Sequence, residues 1–137
     1  MTIQLSTSVR NAMLDGIETA IGTSAVVKLR TGSPPANCAA ADSGTVLATM
    51  SLASDWMAAA SSGSKSFSNT PIQDTSADGT GTLGHYRVYA SDGTTCHMQG
   101  TITATGGGGD MTVDNTSVVT GQIIQITSWS INMNGHA

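Results

Sequence analysis

Charge is what this sequence has least of. Asp, Glu, Lys and Arg make up 10% of its 137 residues, against about 25% in ordinary globular chains. The five cations, Arg10, Lys28, Arg30, Lys65 and Arg87, are scattered along the chain among nine acids, for a net charge of -4. No basic stripe exists to follow a phosphate backbone, which argues against nucleic-acid binding. No stretch of eighteen apolar residues occurs, so no helical membrane span is expected. Met1 is followed by "TIQLSTSV", with no basic region and no long apolar run, so no signal peptide is expected. Two cysteines, Cys38 and Cys96, are too few for a disulfide framework and read as small, reduced thiols, buried or half-buried.

What is present is hydroxyl and glycine. Ser and Thr supply about a quarter of the chain and Gly sixteen residues, while 39% apolar content leaves material for a core. At this length one compact domain is expected, with an arm and helix over residues 1–22 and a β-sandwich over 23–137. Val9, Ala12, Met13, Gly16, Ile17, Ala20 and Ile21 recur with helical period, which predicts an amphipathic helix over Ser8 to Ile21, capped by Ser6 or Ser8 and ended by Gly22. Ahead of it, Thr2 to Leu5 forms a short arm whose Ile3 and Leu5 share a side if extended.

Beyond Gly22 the period changes to two. "AVVKLR" and "TVLATMSL" each place alternate residues on one face, separated by the loop "TGSPPANCAAADSG". Later runs at "SKSFSNTPI", "HYRVYAS", "TCHMQGTIT", "DMTVD" and "GQIIQITSWSINM" bring the total to roughly five to eight short strands, which predicts a mainly β fold, an antiparallel sandwich of jelly-roll type. "TGGGGD" at Thr105 reads as a hairpin tip. A strand rather than a helix follows it, which excludes a phosphate-binding loop.

"SDG" at Ser91 to Gly93 predicts a three-residue hairpin loop. That register sets Val88 opposite Cys96 and Tyr86 opposite Met98, with Tyr86, Val88, Ala90, Cys96, Met98 and Ile102 on an apolar inner face. His85, Arg87, Tyr89, His97 and Gln99 then fall on a solvent-facing side, with Arg87 opposite His97. Cys96 and His97 point apart, and two histidines beside a cation make a poor zinc site. No metal or other cofactor is therefore expected.

No "GxSxG" is present and no motif assigns the three histidines or pairs two carboxylates, so no catalytic set and no enzymatic activity are expected. Asp74, Asp78, Asp110 and Asp114 lie in turn-rich segments. Turn capping explains them, with a calcium site as the alternative. Trp56 and Met57 are a large apolar pair in "SDWMAAASSGS", read either as a lid over the core or as an anchor on a partner.

The predicted N-terminal helix, with "VVKLRTGSPPA", "GTVLATMSL", "TSADGTGTLGHYRVYASDG" and "VVTGQIIQITSWSINM", resembles small virion proteins encoded near the structural genes of tailed bacteriophages. Some of these are head-decoration or cement proteins with a jelly-roll fold. The similarity runs through most of the chain and departs at His85, where an aromatic residue is usual. It implies a structural protein on the outer surface of the virion, made in the host cytoplasm. It also implies the major capsid protein as partner, a dimeric or trimeric state and no catalytic residues. Interface candidates are Ile3, Leu5, Trp56 and Met57. The rival expectation is a phage tail or fibre module that recognises carbohydrate or calcium through the aspartate-rich loops.

Overall fold

The computed structural model describes residues 3–136. Helix α1 (Thr7–Ile21) is followed by ten strands: β1 (Val26–Thr31), β2 (Val46–Ser51), β3 (Ser64–Ser66), β4 (Ile72–Asp74), β5 (Gly81–Tyr89), β6 (Cys96–Ala104), β7 (Met111–Val113), β8 (Ser117–Val118), β9 (Ile124–Ile126) and β10 (Ser130–Asn132). The fold is mainly β with one N-terminal α-helix, as the change of period at Gly22 indicates. Among the described residues no helix is long and apolar enough to cross a membrane.

The main sheet runs β2-β1-β5-β6-β7, with β8 pairing the start of β5. Two ribbons, β10-β3 and β4-β9, complete the β structure. Alternation drives Val27, Leu29, Ala48, Met50, Val88 and Ile102 into the core, Leu47 joins them from a bulge between Val46 and Ala48, and Trp56, Phe67, Ile72 and Ile126 complete it. Phe67 stacks on Trp129 at 4.1 Å between centroids, and Tyr86 meets Trp129 edge-on at 4.8 Å. The run "SKSFSNTPI" holds β3 and reaches the first residue of β4, and "GQIIQITSWSINM" holds β9 and β10, the two segments pairing in two separate ribbons.

Three local expectations change. First, Ala90 N–H donates to the Thr95 carbonyl, giving a longer loop than the three-residue one expected. The cause is Asp92, whose carboxylate accepts from the N–H groups of Thr94 and Thr95 and from the Thr95 hydroxyl. These donors hold its pKa far below the carboxylate range. Val88 then faces Met98, Tyr86 faces Gly100 and Arg87 faces Gln99. The longer loop supplies one residue of this slip and a bulge at His97 the other; a total slip of two preserves the faces, so Tyr86, Val88 and Ile102 still point inward. Gly100 suits its new partner, since a Cβ there would lie 2.7 Å from the Tyr86 hydroxyl.

Second, the register shifts again between Val88 and Tyr89, leaving His97 as the extra residue of a bulge. Cys96 therefore pairs with Tyr89 and turns onto the face of Arg87, not the apolar face. Third, "TGGGGD" is not a hairpin tip, because β6 and β7 pair in parallel. The chain folds back over the end of β6: Gly109 N–H donates to Thr103 Oγ1, and the Asp110 carboxylate accepts from Thr101 N–H and Oγ1. Gly106 and Gly108 take positive φ in that turn.

Candidate functional site

The helix is turned about its axis relative to the sequence pattern. Its buried residues are Arg10, Leu14 and Ile21, with Ile17 packed on the core. Ile17 and Ile21 belong to the expected stripe as well, but the buried face is rotated from it by nearly one residue step, about 100°. Val9, Ala12, Met13, Gly16 and Ala20 face solvent instead, Val9 and Met13 being 45% and 50% exposed.

Polar groups of α1 impose this orientation. Asn11 Oδ1 accepts from Gly63 N–H, Asp15 Oδ1 from Ala60 N–H, and Glu18 Oε1 from Met57 N–H. Lys65 reaches up from β3 to Asp15 at 2.7 Å and Glu18 at 3.0 Å. Burial lowers the Lys65 pKa, but the two carboxylates outweigh it, and the net shift is upward. In the irregular segment from Trp56 to Gly63, Ala58 and Ser61 find backbone acceptors, while the N–H groups of Met57, Ala60 and Gly63 are met by the helix carboxylates and amide. Satisfying those donors takes precedence over burying Val9 and Met13, which are exposed at a cost of about 1–2 kcal/mol each.

Trp56 and Met57 are part of the same arrangement. They are 1% and 2% exposed, and Trp56 Nε1 donates to the Gly22 carbonyl. Both lie in the core rather than on the surface, which corrects their reading as partner anchors; the pair seals the space beneath α1. Leu5 is half-buried and its N–H donates to the His136 carbonyl, which ties the arm to its own C-terminal turn. Ile3 is 75% exposed. Thr2 lies outside the described residues.

The second assembly is the outer face of the main sheet. It was expected to meet water, but the loop from Gly32 to Thr45 covers it. Arg30, His85, Arg87 and Tyr89 are all buried. Arg87 donates to the Asp42 carboxylate, to the carbonyls of Cys38 and Ala40 at 2.8 and 3.2 Å, and through Nε to Cys96 Sγ at 3.1 Å. Asp42 also accepts from Arg30 at 2.6 Å and from the Tyr89 hydroxyl at 2.8 Å. Gln99 Nε2 donates to the Pro35 carbonyl, and His85 Nδ1 lies 2.9 Å from the Gly32 carbonyl. The proline-rich loop is thus fastened by side chains rather than by a ladder.

Burial pushes the Asp42 carboxyl up, but the Tyr89 hydroxyl and then the two guanidinium groups outweigh it, and its pKa is lowered. Desolvation, followed by the bond to Asp42, pushes the Tyr89 phenol up to about 12. Such a network holds a loop in place. His97 is exposed in its bulge, and His85 faces Thr101 across the ladder, so the two histidines are not the neighbours expected. Asp74 accepts from Thr49 and Ser76, Asp78 from Thr49, and Asp110 from Thr101. Among the described residues no group of three or more His, Cys, Asp or Glu converges as a metal site.

No protein-family model, curated protein or solved structure matches this chain. Its function is therefore read from the geometry and from the motifs.

The pKa shifts give stability a defined pH window. Asp15, Asp42, Asp92 and Asp110 are all lowered, so their contribution is present above about pH 4 and lost as pH falls through the folded-state values. Tyr86 and Tyr89 are raised, each to about 12, chiefly by desolvation. Their contribution is complete below the free phenol value of about 10 and is lost as pH rises through 12. Urea midpoints should form a plateau between about pH 5 and 9 and fall on both sides; a midpoint still flat at pH 11.5 would contradict the buried phenols.

Proposed function

We propose that this protein is a structural virion protein that decorates and stabilises a bacteriophage capsid. It binds the major capsid protein lattice as a homo-oligomer. The observation that carries the reading is the outward apolar face of α1, held in place by Asn11, Asp15 and Glu18. A surface helix ordinarily turns such a face to the core, and one held in water is suited to being covered by a partner.

The covering partner is a second copy. Val9 and Met13 form knobs on the first half of α1, and Gly16 and Ala20 leave hollows on the second half, with no atom within 4 Å of the Gly16 Cβ position. An antiparallel two-fold contact sets the knobs of one helix into the hollows of the other. No charge lies on this stripe. Val119 and Ile123, exposed on the turn between β8 and β9, offer a separate contact for the lattice. Linked copies raise apparent lattice affinity by about 10²–10⁴-fold through intramolecular engagement. The motif resemblance to phage head-decoration proteins supports the same reading.

Quantitative mass spectrometry of purified virions tests it, with hundreds of copies per particle expected. A handful per particle would instead favour the tail or fibre module, whose supporting observation is a cleft of about 720 Å³ between β7 and β9, lined by Trp129, Asp110, Asp114 and Gln125. Virions without the protein would reject both.

A further inference from the structure

The bulge at His97 has a chemical consequence: it places Cys96 beneath the loop that carries Cys38. Both thiols are free and half-buried. A single guanidinium touches both residues, Arg87 Nε donating to Cys96 Sγ at 3.1 Å and Nη2 to the Cys38 carbonyl at 2.8 Å. Nε and Nη2 lie on the same edge of the guanidinium, so the Cys96 sulfur and the Cys38 backbone are neighbours across that edge. Burial raises the Cys96 pKa and the neighbouring Cys38 raises it further, against the opposing effect of Arg87.

We propose that Cys38 and Cys96 are a thiol pair that closes to an intramolecular disulfide, fastening the covering loop to strand β6. The oxidant is a small-molecule disulfide of the glutathione class. One protein thiolate attacks a sulfur of the oxidant, breaks its S–S bond and releases the first small thiolate. The second protein thiolate attacks the protein sulfur of that mixed disulfide, forms the Cys38–Cys96 bond and releases the second. Two electrons pass from protein to oxidant, and the two thiol protons end on the two small thiols released. The location suits a lock, because the loop is otherwise fastened to the sheet largely by side-chain contacts to Arg30, Arg87, Tyr89 and Gln99. The bond also closes a long chain segment, where cross-links constrain the unfolded state most.

Two observations in one experiment decide the matter. The full-length protein is incubated with oxidised glutathione, quenched in acid and weighed intact, and its melting temperature is compared before and after reduction. Expected are a mass lower by two hydrogens, one peptide pair linking Cys38 to Cys96, and a melting temperature raised by about 5–10 °C and restored by dithiothreitol. C38A keeps the carbonyl that Arg87 holds, and should show neither the mass change nor the gain in melting temperature. Persistent glutathione adducts on both cysteines, cross-linked dimers, or two thiols still free after prolonged oxidation would each overturn the pairing.

Discussion

Replacing Arg87 by methionine should destabilise the protein by about 3 kcal/mol and release the loop from Gly32 to Thr45. The side chain is 1% exposed and makes bonds to Asp42, Cys38, Ala40 and Cys96. Methionine fills most of the volume and none of the donor positions. The cost is therefore that of orphaned carbonyls and a carboxylate short of one partner, rather than of a cavity. Asp42 retains Arg30 and Tyr89, and its side chain is 38% exposed, which keeps the loss at the lower end for a broken buried pair. Equilibrium urea unfolding measures the loss. Hydrogen exchange should show faster exchange in β1 and β5 on the face the loop covers. Arg87→Lys should rescue little, because one ammonium cannot span the four acceptors. A loss below 1 kcal/mol for the methionine variant would mean that the loop is held by something else.

The double substitution Val9→Asp and Met13→Asp should leave the subunit folded and weaken self-association by 10²-fold or more. Both side chains are half exposed in the isolated subunit, so the variant forfeits little packing there. Across a two-fold contact each is present twice, and four carboxylates would enter an uncharged stripe. Sedimentation velocity over a concentration series reads the change, with circular dichroism confirming the fold. Gly16→Leu is the complementary probe: it fills a hollow without adding charge and should weaken association by itself. If the unaltered protein sediments as a monomer at every concentration, the helix face is not a self-contact.

The sequence made the division at Gly22 legible because period 3.6 gives way to period 2, and it located most strands because their inward positions alternate. It misjudged the facing of α1, since periodicity counts apolar residues and cannot weigh the unpaired N–H groups of a distant segment. Asn11, Asp15 and Glu18 meet Gly63, Ala60 and Met57 only through the tertiary fold. The buried outer face was missed for a related reason. His85, Arg87 and Tyr89 look solvent-bound by residue type, and their cover is a proline-rich loop with no strand pattern. One signal was available in the sequence: few charges beside many buried positions leave cations free to act as internal fasteners. The hairpin slip at Asp92 was legible in principle, since an aspartate followed by two threonines offers three donors to one carboxylate.

Arg10, Arg30, Lys65 and Arg87 are all buried, and Lys28 is half-buried with its ammonium bonded to the Gly93 carbonyl. Trypsin must draw one of these five side chains into its specificity pocket before it can cut. The native subunit presents none of them freely, so digestion has to wait for the chain to open, and the rate of cleavage becomes a direct gauge of how often it does.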